Sequence, residues 1–143
     1  MRTYLVTGGA GFIGSNYIHY MFRKYGDAIR IINVDALTYA GNLENLKDIE
    51  DRDNYTFIKA DIRDREAIEK IFAENDIDRV VHFAAESHVD RSIVNPEIFV
   101  ETNERGKESL GAAGRHLQGR QEIPACIHRR GIRISGRGRY LFL

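Results

Sequence analysis

From Met1 to Asn103 the apolar positions come in two alternating textures. Four short runs carry apolar residues on consecutive positions: Tyr4-Leu-Val-Thr7, Arg30-Ile-Ile-Asn-Val-Asp35, Tyr55-Thr-Phe-Ile-Lys-Ala-Asp61 and Arg79-Val-Val-His-Phe-Ala-Ala85. Between them, apolar residues recur every three or four positions. The first texture suits strands covered on both faces, and the second suits helices with one face on a core. In the helix after the first strand, Ile13, Tyr17, Ile18 and Met21 form the stripe and Gly26 the stop. Leu43 to Ile49 reads as a short helical stretch. Asp64 opens a further helix with Ile68, Ile71, Phe72 and, less ideally, Ala67 inward. Asn95 and Pro96 fit the N-cap and first position of another. This alternation predicts an α/β fold, a doubly wound parallel sheet in the order 3-2-1-4-5. His82, inside a strand, is expected in the core, and His19 on a helix surface. No internal repeat interrupts the pattern.

The turn after the first strand adds chemistry. Thr7-Gly-Gly-Ala-Gly-Phe-Ile-Gly14 places Gly8, Gly11 and Gly14 between a strand and a helix. The first glycine allows a tight turn, the second a close approach of phosphates, and the third close packing of helix on strand. The helix N-terminus that follows aims its unpaired N–H groups at an anion. The second strand ends in Asp35, 21 positions after Gly14. That is near the spacing of ~20 at which dinucleotide-binding units carry the acid for the adenosine ribose. A carboxylate there repels a 2′-phosphate, so the expected cofactor is NAD rather than NADP. Together these features predict the Rossmann arrangement.

At 143 residues one domain fits, and a lone cysteine, Cys126, excludes a disulfide framework. No signal peptide precedes the first strand and no apolar run approaches a membrane span, so the expected location is the cytoplasm. The zero net charge hides a split. Residues 1–103 hold 12 Lys and Arg against 18 Asp and Glu, a net of −6, while residues 104–143 hold 9 against 3, a net of +6. The second segment also holds 7 of the 13 glycines. The expected division is therefore 1–103, part of a dinucleotide-binding domain, and 104–143, a basic Gly/Arg-rich tail.

Three blocks carry a resemblance: Thr7 to Gly14, Asn33-Val-Asp-Ala-Leu-Thr-Tyr-Ala-Gly-Asn42, and His82-Phe-Ala-Ala-Glu-Ser-His-Val-Asp-Arg-Ser92. They resemble the dTDP-glucose 4,6-dehydratases, extended short-chain dehydrogenases/reductases acting on nucleotide sugars. The likeness spans about the first 103 residues. Related sugar-nucleotide epimerases share the glycine turn but differ after the fourth strand. The resemblance implies that Gly8, Gly11, Phe12, Ile13 and Gly14 hold the pyrophosphate of NAD. It gives Asp35, Leu37 and Thr38 the adenine ribose, and Asp61 and Ile62 the adenine. Ala84, Ala85 and Glu86 would line the nicotinamide side, Thr102 would close the cofactor site, and Ser87 and His88 would face the hexose and its phosphates. The implied reaction is redox-neutral: hydride leaves C4 of the glucose, water is eliminated across C5 and C6, and the hydride returns to C6. The implied partner is dTDP-glucose, within a homodimer that this chain is not expected to complete. Without the resemblance, His88, Asp90 and Arg91 read as a solvated loop.

The family's proton-transfer segment, Thr-Asp-Glu, and its Tyr-x-x-x-Lys pair are absent. No Asp follows residue 103, and Tyr140 is followed by Leu-Phe-Leu. The genetic code offers a reason. Ile127-His-Arg-Arg-Gly-Ile-Arg-Ile-Ser-Gly136 can be encoded so that a one-base shift reads Ser-Thr-Asp-Glu-Val-Tyr-Gly-Ser-Leu, and Pro124-Ala-Cys126 then reads Leu-His-Val. The expectation is a frame change near Asn103, an incomplete fold, no catalytic residues and no turnover. Without a fifth strand, Val80 to Ala85 would be a bare apolar edge prone to aggregation. Three alternatives stand beside this. One is another nucleotide-sugar epimerase or dehydratase, and a second is a truncated cofactor-binding module acting as a sensor or partner subunit. In the third, the tail is a genuine nucleic-acid-binding extension, for which it has few stacking aromatics, Tyr140 and Phe142. The favoured reading assigns neither nucleic acid, membrane nor metal.

Overall fold

The computed structural model describes residues 1–38 and 41–84. Strands β1 (Arg2–Thr7), β2 (Ile29–Asp35), β3 (Tyr55–Lys59) and β4 (Arg79–His82) alternate with helices α1 (Phe12–Tyr25) and α2 (Arg65–Glu74). The strands form one parallel sheet in the order β3-β2-β1-β4, as the sequence predicts for its first four strands. Parallel neighbours cannot be joined by a tight turn, so each connection crosses a face of the sheet.

Consecutive apolar residues in a strand point to opposite faces, and both faces are buried. Leu5, Ile32, Val34 and Val80 face α2, where they meet Ile68, Ile71 and Phe72. Val6, Ile31 and Val81 face the other way, onto Ile18, Met21 and Phe22 of α1. The inward stripe of α2 is as the spacing predicts, with Ala67 half-buried beside it. Asp64 caps this helix, its Oδ1 accepting the Ala67 N–H at 3.2 Å.

Several boundaries differ from expectation. Ile13 is 57 % exposed and does not join the stripe of α1, whose buried residues are Gly14, Ser15, Ile18, Met21 and Phe22. The stretch from Leu43 is a 3-10 turn over Leu43–Leu46, not a helix reaching Ile49. β3 stops at Lys59, whose partner Asp35 is the last residue of β2. β4 stops at His82, opposite Thr7, where β1 gives way to the glycine turn. His82 is core as expected, 3 % exposed, its Nδ1 2.6 Å from Thr7 Oγ1. His19 lies on the outer side of α1, half-buried, with Nε2 2.7 Å from the Asn45 carbonyl. Ala85, the helix expected from Asn95 and the whole of 104–143 lie outside the described residues.

Candidate cofactor site

All four strands end on the same side, and the turn from Gly8 to Gly11 lies at the centre of that edge. Gly8 has φ +72°, a left-handed conformation that disfavours any side chain. A Cβ there would stand 2.5 Å from the Ala84 nitrogen and 2.7 Å from the Phe83 carbonyl carbon. The Gly8 N–H donates to the Val34 carbonyl at 2.8 Å, and the Phe83 N–H to the Thr7 carbonyl at 2.8 Å. The turn is thus wedged between the ends of β2 and β4. Gly14 presses on the same turn from the helix side, where a Cβ would overlap the Gly8 carbonyl oxygen.

Helix α1 begins on this turn. Gly11 is its N-cap and offers no side-chain acceptor, and no acid occupies the first turn, while Arg23 and Lys24 stand in the last. The uncapped N–H groups and the helix dipole therefore give the sheet edge a positive end suited to an anion. Phe12, 82 % exposed, and Ile13 rise beside them.

Asp35 closes the other side. Its Oδ2 accepts the Ala10 N–H at 2.9 Å and its Oδ1 the Leu37 N–H at 2.8 Å, and the residue is 9 % exposed. A carboxylate has about four lone-pair sites, so two backbone donors leave room for ribose hydroxyls. Leu37 has φ +53°, a strained value for a leucine, in the same chain turn that Asp35 holds. Thr38 follows, its carbonyl accepting the Gly41 N–H at 3.0 Å.

Asp61 and Ile62 follow β3. Arg63 holds Asp61 through Nη2 to Oδ2 at 2.6 Å and Nε to both oxygens at 3.0 Å. This bonding, opposed by partial burial, holds the Asp61 carboxyl below the ordinary carboxylate range. The Ile62 side chain is 4 % exposed within the α2 core. Ala84 reaches the site through its main chain against Gly8. Ala85, Glu86, Ser87, His88 and Thr102 lie outside the described residues.

The structure adds residues that pattern reading passed over. Asn33, fully buried in β2, donates from Nδ2 to the Tyr55 hydroxyl at 3.0 Å and fills the space a Cβ on Gly9 would need. Ala10 is also fully buried, and its carbonyl accepts from the Asn42 N–H at 3.0 Å and Asn45 Nδ2 at 3.1 Å. Among the described residues no group of His, Cys, Asp and Glu is arranged to hold a metal ion.

A parallel sheet with a glycine turn at its centre, an uncapped helix N-terminus and an acid on the neighbouring strand defines a Rossmann dinucleotide-binding fold. Comparison with known proteins narrows the class. The family model described as GDP-mannose 4,6 dehydratase matches residues 5–126, and the chain belongs to that family. It is 52% identical over 112 residues to a dTDP-glucose 4,6-dehydratase of Shigella flexneri, a match covering 78% of this chain and 30% of that protein. To the dTDP-glucose 4,6-dehydratase of Neisseria meningitidis serogroup B it is 50% identical over 128 residues, 90% of this chain and 35% of that protein. The chain thus spans about a third of the length of these relatives. Among solved structures, the dTDP-glucose 4,6-dehydratase of Bacillus anthracis in complex with NAD superposes with a TM-score of 0.75 at 36% identity, covering 99% of this chain and 44% of that one. A UDP-glucose 4-epimerase of Thermus thermophilus, also complexed with NAD, gives 0.73 at 31% identity, covering 85% of this chain and 36% of that one.

Proposed function

We propose that this chain is the cofactor-binding part of a dTDP-glucose 4,6-dehydratase, lacking in its own residues the groups that perform the chemistry. The observation that carries the reading is the wedged Gly8 turn with the buried Asp35 carboxylate beside it. Gly8, Gly11, Phe12, Ile13 and Gly14 would hold the NAD pyrophosphate through main-chain N–H groups. Asp35, Leu37 and Thr38 would take the adenine ribose. Asp61 and the Ile62 backbone would take the adenine, and Ala84, Ala85, Glu86 and Thr102 the nicotinamide side. Ser87 and His88 would meet the nucleotide sugar. When bound, NAD supplies a temporary store for hydride, and the residues here bind and orient it. The relatives of the same family that carry dTDP-glucose 4,6-dehydratase names, and a neighbour complexed with NAD, support this substrate and cofactor.

The proton-transfer segment does not stand where the family would place it. The family match runs to residue 126 and the shifted-frame reading opens at Pro124. The family match thus runs past Asn103, where the charge changes, and lends a frame change there no support. The shifted-frame reading of 124–136 and the change in charge and glycine content are what support it. We place the protein in the cytoplasm, and a complete version of it in a homodimer. Among the described residues no helix is long and apolar enough to cross a membrane.

Calorimetric titration of the full chain with NAD and NADP, beside incubation with dTDP-glucose and mass analysis of products, tests the reading. The expected outcome is NAD binding, weaker NADP binding and no conversion. A folded chain that takes up no NAD overturns the cofactor assignment. Formation of the 4-keto-6-deoxy product overturns the missing catalytic segment, as does resequencing that finds the frame intact in a gene whose product turns over.

A further inference from the structure

We infer that Asn45 is a positioning residue for the pyrophosphate-binding turn, acting from outside the glycine motif through the Ala10 carbonyl. The inference rests on the cofactor reading above and deepens it. Both polar groups of buried Ala10 are held by the end of β2 and the segment that follows it. Its N–H donates to Asp35 Oδ2 at 2.9 Å, and its carbonyl accepts Asn42 N–H at 3.0 Å and Asn45 Nδ2 at 3.1 Å. In a trans peptide the C=O and the following N–H point opposite ways. Drawing the Ala10 carbonyl toward Asn45 therefore turns the Gly11 N–H away from it, to the Gly8 carbonyl side, at 3.3 Å. Gly11 is the N-cap of α1 and no side chain caps that helix. The orientation of this one peptide thus sets how the helix N-terminus begins.

Asn45 is placed to do this although it is exposed. Its own carbonyl accepts from His19 Nε2 at 2.7 Å; a carbonyl only accepts, so that ring nitrogen carries the proton. The next residue, Leu46, is 2 % exposed in the core beneath α1. Asn42 Oδ1 caps the turn by accepting the Glu44 N–H at 3.0 Å. The side-chain amide is thus carried on a 3-10 turn anchored in the core on one side and on α1 on the other. Only a donor suits the position. An aspartate would set oxygen against oxygen, and an alanine would leave the carbonyl to Asn42 alone.

The test uses Asn45→Asp and Asn45→Ala in the full chain, with two readouts. The first is amide hydrogen exchange without ligand. Exchange across residues 8–14 is expected to quicken about fivefold in Asn45→Ala and about tenfold or more in Asn45→Asp, with α2 and β3 unchanged. The second compares ADP-ribose, which carries the pyrophosphate, with adenosine, which does not. The ADP-ribose Kd is expected to rise about five- to tenfold while that of adenosine holds. A merely structural residue would shift both ligands together and quicken exchange throughout. Unchanged exchange at 8–14 in Asn45→Asp, or equal loss of both ligands, overturns the inference. If the wild-type chain takes up no ADP-ribose, the cofactor reading fails, and the exchange experiment alone decides the role of Asn45.

Discussion

Replacing Gly14 by alanine sets two known effects against each other, and the structure decides the sign. Gly14 is the third residue of α1 and is buried. Glycine within a helix costs up to about 1 kcal/mol relative to alanine, so on propensity alone Gly14→Ala stabilises. The surroundings oppose it. The new Cβ would overlap the Gly8 carbonyl oxygen and stand 2.7 Å from the Gly9 Cα and 3.0 Å from the Gly8 carbonyl carbon. All three neighbours are main chain, so no rotamer change relieves the contact. The turn cannot retreat either, because Gly8 is bonded to Val34 and backed by the 83–84 peptide. Overpacking a rigid site costs about 1–3 kcal/mol, and a backbone contact belongs at the upper end. Subtracting the gain in propensity leaves a net loss of about 1–2 kcal/mol. With a urea slope of about 1–2 kcal/mol per molar for a domain of this size, the midpoint falls by about 1 M. Tilting α1 off β1 also displaces the uncapped N–H groups, so NAD affinity should fall with stability. A Gly14→Ala chain that unfolds at higher urea with an unchanged slope would refute the close approach of α1 to the turn.

Three further outcomes follow from the same contacts. Burial, reinforced by Tyr4 and Tyr25 and opposed by Arg79, pushes the Tyr17 hydroxyl from 10.0 up to about 12. A folded pKa above the unfolded one gives stability that is complete below about pH 10 and is lost as pH rises through about 12; discounted for the partly exposed ring, this is about 1 kcal/mol. Urea midpoints at pH 8 and 11.5 should therefore fall further in wild type than in Tyr17→Phe, and parallel profiles would refute it. Asp64→Ala removes the cap of α2 and should cost about 1 kcal/mol in the same assay, with Asp64→Asn retaining most of it; an alanine variant as stable as wild type counts against the cap. If Asp35 takes the ribose as proposed, Asp35→Asn removes the charge that disfavours a 2′-phosphate, so the preference for NAD over NADP should narrow about tenfold in calorimetric titration. An unchanged preference would remove Asp35 from the ribose site.

Much of the fold is legible because the consecutive apolar pairs have one economical reading. Leu5 and Val6, Ile31 and Ile32, and Val80 and Val81 can be buried together only if the sheet is covered on both faces, and each pair divides between the two cores. Strand ends are less legible because a ladder stops where its partner stops. Nothing in Lys-Ala-Asp61 marks the end of β3, yet Lys59 is paired with the last residue of β2. Ile13 misleads for a similar reason. Its spacing fits the stripe, but periodicity does not report whether a core lies beneath, and Ile13 is exposed. The turn at Leu43–Leu46 left a signal in its spacing. Leu43, Leu46 and Ile49 recur at intervals of three, the period of a 3-10 turn rather than of an α-helix.

The glycine motif itself shows how a sequence signature can state half of an arrangement. It marks where the chain must be thin, but the matter that makes thinness necessary comes from elsewhere. At Gly8 that matter is the 83–84 peptide beyond β4; at Gly9 it is the Asn33 amide and Ile18; at Gly14 it is the turn's own backbone. Asn33, Asn42 and Asn45 read in the sequence as strand and turn residues with no chemistry of their own, since an asparagine's partner is set by tertiary approach and not by spacing. Once folded, each meets the turn: one supports Gly9 from beneath, and two hold the Ala10 carbonyl. The dinucleotide seat is thus a joint product of β1, β2, the segment after β2 and the end of β4.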